Sequence, residues 1–396
     1  MAAVQGRVTQ GFERVRETFE EHAGLVGHGG AAFSAYVGGQ PAVDLWAGRA
    51  APDRAWSEDT VAPLFSSTKG MAATCLLVLA ERGKLDPDAP VALYWPEFAQ
   101  GGKERIPVRQ LLSHTVGLTE IPDYADLIQL DGGGLTEIAE VRRRLAGAKP
   151  NWEPGTRNGY HGVTIGYLMG ALVERITGRE LGAFFDEEIA RPLGIEVWLT
   201  GDDAVIARRA HEIDLEPPPP HLAAIFDAIL GETRDAATIA GRAFAARDGA
   251  SLLDRLAVIG NDPRFLVKGL GFGDGLGTAR GMARLYAALA AGGELDGVRL
   301  ASPATVGAFA TLQRRGPDAV LKIETGWGLG YQVNLPNPIG ERPFGPSERA
   351  FGHGGAGGQL GFCDPERGLA FGFVRSHLAH LDPLAAKLIA AVYASL

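Results

Sequence analysis

Only two cysteines, Cys75 and Cys363, occur in the 396 residues. They lie far apart and show none of the paired spacings that metal sites and redox centres use. Neither carries a function on this reading, and no metal or cofactor is expected. Long hydrophobic runs are missing too: the longest nearly unbroken apolar stretch, Met71 to Ala80, falls well short of the roughly 20 residues that a bilayer span requires. Positive charge is in deficit, with 38 Lys and Arg against 47 Asp and Glu and a net charge of −9. The chain therefore offers no electrostatic footprint for a phosphate backbone or an anionic lipid surface, and neither nucleic acid nor membrane is expected as a partner. No G-x-S-x-G occurs, which counts against an α/β-hydrolase with a nucleophile elbow. His211-Glu212 lacks the second histidine of a zinc-protease helix. His377 and His380 have ligand spacing but no supporting Cys or Glu motif. The opening residues, MAAVQGRVTQGFERV, contain no apolar core of signal-peptide length, so a cytoplasmic location is expected.

Glycine, by contrast, is abundant: 55 residues, alongside 24 prolines, about twice the average usage for Gly. Many tight turns and close backbone approaches follow from that. Apolar residues make up 46% of the chain, and the length allows two or three domains or one large bilobal one. Phe12, Val15 and Phe19 recur at helical spacing. Residues 31–38 and 41–48, broken around Gly38, Gly39 and Gln40, read as a β-hairpin. Helical patterns then dominate to about residue 310, at Gly70–Arg82, Val108–Ser113, Thr164–Thr177 and Ala279–Ala291, with loops at EPPPP (216–220) and the glycine-rich GLGFGDGLG (269–277). From Trp327 the pattern returns to strands, in GLGYQVN, RAFGHGG, GQLGFCD and LAFGFVRS, and closes with a helix over Pro383–Leu396. Strands at both chain ends around a helical middle predict an α+β fold. One antiparallel sheet is built from residues 1–66 and 311–396 and flanked by terminal helices, a mostly helical domain is inserted over 67–310, and the active site lies between them.

Three groups of residues carry candidate chemistry. Ser66 and Lys69 are one helical turn apart, directly ahead of the apolar run Gly70–Leu79, so hydroxyl and amine share a face at a helix N-terminus. A serine hydroxyl becomes a good nucleophile when a neighbouring base takes its proton, and a buried lysine can be that base. The same spacing also suits an N-capping serine followed by a solvated lysine. Tyr160, in PNWEPGTRNGYHG, offers a phenol that relays a proton or simply packs at a turn. Phe351 to Gly358 (FGHGGAGG) is a glycine-rich stretch that lets backbone N–H groups approach an oxyanion, or forms a plain hairpin turn. Its match to G-x-G-x-x-G runs into a strand rather than a helix, which argues against dinucleotide binding.

In the order Ser66-x-x-Lys69, Tyr160, His353-Gly354-Gly355, these motifs resemble the serine β-lactamase and penicillin-binding-protein superfamily. More narrowly, the chain is similar to the class C β-lactamase-like branch that contains the family VIII carboxylesterases. The likeness extends through VDLWAGRA, SEDTVAPLFSSTKG, VRQLLSHTVGL, WEPGTRNGYHGVTIGYLMG, GTARGMARLYAAL and GHGGAGGQLGFCDPERGLAFGFV. The resemblance implies that Ser66 is the acylated nucleophile and Lys69 its base. Tyr160 would activate Ser66 or protonate the leaving group. The backbone N–H groups of Ser66 and Ala356 would form the oxyanion hole, with His353, Gly354 and Gly355 contacting substrate. One departure stands out: many relatives carry Asn two residues after the motif tyrosine, and this chain has Gly162. A lost hydrogen bond there, worth roughly 0.5–1.5 kcal/mol, disfavours amide and β-lactam substrates, and His353 in place of a lysine weakens carboxylate recognition. The expected activity is hydrolysis of short-chain carboxylic esters through an acyl-enzyme. The alternatives are amide or β-lactam hydrolysis, transacylation, or a non-catalytic penicillin-binding-like protein. Tyr124, Trp327 and Tyr331 are candidates for lining an acyl pocket or for packing in the core.

Overall fold

The computed structural model describes residues 3–129, 131, 133–213, 231–246, 250–336, 340, 342–379 and 383–396. Its centre is an antiparallel sheet fed from both ends of the chain. The strands are β1 (Gln5–Val8), β2 (Gly30–Val37), β3 (Gln40–Ala51), β4 (Arg314–Pro317), β5 (Glu324–Trp327), β6 (Gln332–Val333), β7 (Phe351–Gly354), β8 (Leu360–Asp364) and β9 (Leu369–Arg375). They run in the order β1-β3-β2-β9-β8-β7-β6-β5-β4, with a tenth, two-residue strand, Arg54–Ala55, paired to β3 off this path, so β9 joins the N-terminal hairpin to the C-terminal strands. That hairpin forms as the sequence predicts. Val37 pairs with Gln40 across Gly38 and Gly39, which both have positive φ, the two-residue turn whose twist matches that of the strands.

Side-chain alternation along β9 divides the core in two. Leu369, Phe371 and Phe373 pack with the terminal helices α1 (Glu13–Glu21) and α5 (Pro383–Ala394), where Val15, Phe19, Leu384, Leu388 and Val392 are buried. Ala370 and Val374 face the larger cluster, which holds α2 (Thr68–Glu81), α3 (Thr164–Thr177) and α4 (Ala279–Ala290). Every residue of α2 from Thr68 to Leu79 is buried, as an apolar helix without a polar face must be. The sequence marks the helix ends clearly. Thr278 caps α4 by accepting the Gly281 N–H, 3.0 Å away, and Gly178 closes α3 in the left-handed conformation.

Close approach of α4 to the sheet depends on Gly372 in β9. A Cβ there would lie 2.2 Å from the Ala279 carbonyl oxygen and 2.7 Å from the Ala283 nitrogen, backbone atoms that cannot swing aside. Gly372→Val is therefore expected to destabilise the fold by about 3 kcal/mol or more. A lowered denaturation midpoint in urea checks this, and an unchanged midpoint would show that the helix can retreat at little cost.

Two features differ from expectation. Residues 328–331 turn rather than extend: Gly328 N–H donates to the Tyr331 carbonyl and Gly330 has φ of 85°, leaving only Gln332–Val333 of GLGYQVN in a strand. The middle of the chain also contains short strands, Ala62–Pro63, Val197–Trp198 and Leu276–Gly277, paired in one small sheet. EPPPP and His380 lie outside the described residues.

Candidate active site

Ser66 sits in a single 3-10 turn, Phe65–Ser67, that feeds directly into α2. Phe65 is held at φ of 43°, a left-handed conformation that costs a bulky residue about 1–3 kcal/mol and clusters at functional sites. Neither serine caps the helix with its side chain. Ser67 Oγ instead donates to the His353 carbonyl, 3.0 Å away, fastening the turn to β7. Ser66 Oγ is left to accept from Lys69 Nζ at 3.0 Å.

Lys69 is only 1% exposed. Its second hydrogen bond, 2.7 Å long, goes to the carbonyl of Phe272, so the glycine-rich run after residue 269 wraps beneath the amine. Burial holds the Lys69 amine well below its ordinary pKa, and the Asp274 carboxylate opposes that shift. Asp274 is itself buried, accepts the Leu270 and Gly271 N–H groups, and is raised to about 6 by desolvation. Lys69 thus has an unusual share of the free amine at neutral pH.

Tyr160 reaches this pair from the segment ahead of α3. Burial raises the pKa of its phenol above the usual tyrosine range, an effect that the Ser66 side chain partly offsets. Lys69 Nζ lies 5.0 Å from the centre of its ring. Trp327 stacks on the same ring, with centroids 5.5 Å apart and planes 12° apart. A phenol distant in sequence therefore meets the hydroxyl and amine of one helical turn.

The end of β7 closes on the Ser66 turn. A Cβ on Gly355 would lie 2.4 Å from the Leu64 carbonyl oxygen and 3.2 Å from the Ser67 nitrogen, so only glycine lets the strand come this near. Ser66 and Ala356 both line the cleft that opens here. Among the described residues, neither of their backbone N–H groups donates to a protein acceptor. His353 Nδ1 donates to the Gly354 carbonyl at 2.7 Å, which fixes its tautomer and leaves Nε2 as an acceptor, buried and without a partner among the described residues. Burial and the neighbouring Lys69 push His353 down to about 3, so it is neutral at physiological pH.

The cleft measures about 1160 Å³ and runs from Ser66, Tyr160 and His353 towards Ile389 and Tyr393 on α5. Trp327 lines it; Tyr331 does not. Tyr331 is fully buried and hydrogen-bonds Thr74 of α2 at 2.8 Å, so it is a core residue. The turn at 328–331 is what directs it there. Tyr124 opens a one-turn helix, Tyr124–Leu127, and its side chain lies outside the described residues.

Sequence reasoning missed Phe244, Asp318 and the part His114 plays. Phe244 lines the cleft, and a Cβ on Gly162 would lie 2.6 Å from its ring: the space left by a glycine is filled by an aromatic side chain. The small residue at 162 was the one available signal. His114 lay inside the quoted motif VRQLLSHTVGL, yet nothing in the spacing indicates that its ring contacts Tyr160 and Trp327, with centroids 5.2 and 4.4 Å away.

The family described as Beta-lactamase matches residues 15–394. "Esterase/beta-lactamase LipL" of Mycobacterium tuberculosis is 36% identical over 367 residues, which cover 90% of this chain and 78% of that protein. The crystal structure of a family VIII carboxylesterase superimposes with a TM-score of 0.86 at 31% identity, covering 99% of this chain and 100% of the other. A penicillin-binding protein homologue from Caulobacter crescentus gives 0.85 at 34% identity, with 99% and 100% covered.

Proposed function

The chain belongs to the beta-lactamase family, and from that premise we propose that it is a serine carboxylesterase that hydrolyses short-chain esters through an acyl-enzyme on Ser66. The observation that carries this reading is the 3.0 Å contact between Ser66 Oγ and a buried Lys69 amine held below its ordinary pKa, beside the Tyr160 phenol and open to a cleft. The family VIII carboxylesterase supports it as a structural relative along nearly the whole chain.

The chemistry assigns distinct roles. Free Lys69 takes the Ser66 proton as Oγ attacks the ester carbonyl, and the Ser66 and Ala356 N–H groups receive the oxyanion. The Tyr160 phenol, kept neutral by burial, gives its proton to the departing alkoxide. The proton on Lys69 then passes to the phenolate, which restores both groups for deacylation. Water attacks the acyl-enzyme by the reverse relay, and the carboxylic acid leaves. The site so proposed lies at the junction of the segments 1–66 and 311–396 with 67–310, and we place the enzyme in the cytoplasm. No helix among the described residues is long and apolar enough to cross a membrane.

Ester is preferred over amide for two reasons on the cleft wall. Phe244 occupies the space beside Gly162 and Tyr160, so no side-chain amide is available there to hold a substrate N–H. His353 is neutral, so it offers no cation for a substrate carboxylate. A second reading, amide or β-lactam hydrolysis on the same machinery, is favoured by the name of the mycobacterial relative. A non-catalytic role would not need all three of Ser66, Lys69 and Tyr160 in contact. A panel of short p-nitrophenyl esters beside a chromogenic cephalosporin tests the ranking. The best ester is expected to exceed the cephalosporin in kcat/KM by about 100-fold or more; cephalosporin turnover above that of every ester would reverse it.

A further inference from the structure

Three consecutive backbone N–H groups around the motif tyrosine are each held by an acceptor from elsewhere in the chain. Gly159 N donates to the His114 carbonyl at 3.0 Å. Tyr160 N donates to Asp318 Oδ1 at 2.9 Å. His161 N donates to His114 Nδ1 at 3.0 Å. One residue, His114, thus supplies two of the three acceptors, and it does so from a left-handed conformation with φ of 58°. The ring nitrogen can accept only if its proton sits on Nε2 and the imidazole is neutral; His114 is 1% exposed.

The third acceptor ties the tyrosine to the cleft. Asp318 is 3% exposed. Its Oδ1 also accepts the Val320 and Leu321 N–H groups at 2.9 Å, and its Oδ2 accepts Thr325 Oγ1 at 3.1 Å. Asn158 Nδ2 donates to the Thr325 carbonyl at 3.0 Å, and Ala319 N returns a bond to Asn158 O at 2.9 Å. Leu321, Thr325 and Trp327 line the cleft. The Tyr160 ring contacts both His114 and Trp327. With both its backbone and its ring held, the phenol has little freedom to leave Ser66.

We propose that His114 and Asp318 are positioning residues whose joint grip on the 159–161 backbone sets the Tyr160 phenol for proton transfer to the leaving group. The inference rests on the reading of Tyr160 as proton donor. Neither residue touches the reacting atoms. Both act through Tyr160, so their loss should be felt where Tyr160 is needed and spared where it is not. Alkyl esters expel a strongly basic alkoxide that needs a proton; p-nitrophenyl esters expel a stable anion that does not.

The test is a comparison of leaving groups in purified full-length variants. Asp318→Ala and His114→Gln are each expected to lower kcat/KM, which reports acylation alone, by about 100-fold on ethyl and butyl esters and by about threefold or less on p-nitrophenyl acetate, whereas kcat also contains a deacylation step that draws on Tyr160 for every ester. His114→Asn is expected to retain most of the activity, because its amide oxygen can take the place of Nδ1 and asparagine tolerates the left-handed conformation. Glutamine extends its amide beyond that point. If Asp318→Ala does not fold, the His114 pair alone carries the comparison. Equal losses on both leaving groups, or losses that follow the melting temperature alone, would overturn the proposal. Tyr160→Phe is the control. If it shows the selective loss and the clamp variants do not, the clamp fails while the proton-donor reading stands; if Tyr160→Phe itself shows no selectivity, both fall.

Discussion

Ser66→Ala should abolish ester turnover, with a loss on the order of 10⁴-fold or more in kcat, and should remove labelling by a fluorophosphonate probe. The size of the effect follows from how the site is built. Ser66 Oγ is the side-chain hydrogen-bond partner of Lys69 Nζ, and it partly offsets the raised pKa of the Tyr160 phenol, so its removal takes away the hydroxyl on which both groups act. Ser67 cannot substitute. It is fully buried and its Oγ donates to the His353 carbonyl, so its direction is fixed by the contact that docks the turn on β7. In the wild-type protein, mass spectrometry should place the phosphonyl adduct on the peptide containing Ser66. An adduct on another residue, or most of the activity surviving in Ser66→Ala, would remove the nucleophile assignment and the acyl-enzyme with it. Ser67→Ala provides the contrast: it keeps the nucleophile and loses one hydrogen bond, worth roughly 0.5–1.5 kcal/mol, so it should slow the enzyme about tenfold at most.

How much of this was legible beforehand depended on how local the signal was. A hydroxyl and an amine three positions apart at a helix start are neighbours by helical geometry alone, so Ser66 and Lys69 were readable as a pair. Long periodic helices such as Thr164–Thr177 and Ala279–Ala290 were readable for the same reason. Four-residue helices such as Val91–Tyr94 and two-residue strands such as Val197–Trp198 are too short to show a period and are held by the packing around them. Tyr160 reached the list through motif order rather than spacing, because nothing local says which distant phenol will face a serine. Tyr331 stayed open between pocket and core because a strand was expected across residues 328–331, which in fact form a turn. Asp318 left no trace at all. Its importance lies in backbone N–H groups of residues it is remote from, and the sequence of an acceptor does not name its donors.

Lys69→Ala and Tyr160→Phe should each lower kcat by about 10³-fold or more, and the double variant should cost little beyond the worse single one, since groups that share one proton fail together. The electrostatics add a sharper test. Burial depresses Lys69, so the base loses its proton, and becomes active, at a lower pH than an ordinary lysine would. Burial raises Tyr160, so the phenol keeps its proton beyond the ordinary tyrosine value of about 10. The profile of kcat/KM against pH should therefore rise once, well below the ordinary lysine value of about 10.4, as Lys69 loses its proton, and stay level above that rise instead of falling as an unperturbed tyrosine ionises. A bell with its alkaline limb below pH of about 10 would mean that the phenol is not shielded as the cavity implies. Lys69→Arg separates basicity from charge. A guanidinium keeps the positive charge but cannot give up its proton in this range, so this variant should be as inactive as Lys69→Ala if Lys69 is the base. Substantial activity in Lys69→Arg would mean that the site needs a cation, and the proton taken from Ser66 would then have to go to Tyr160 as phenolate.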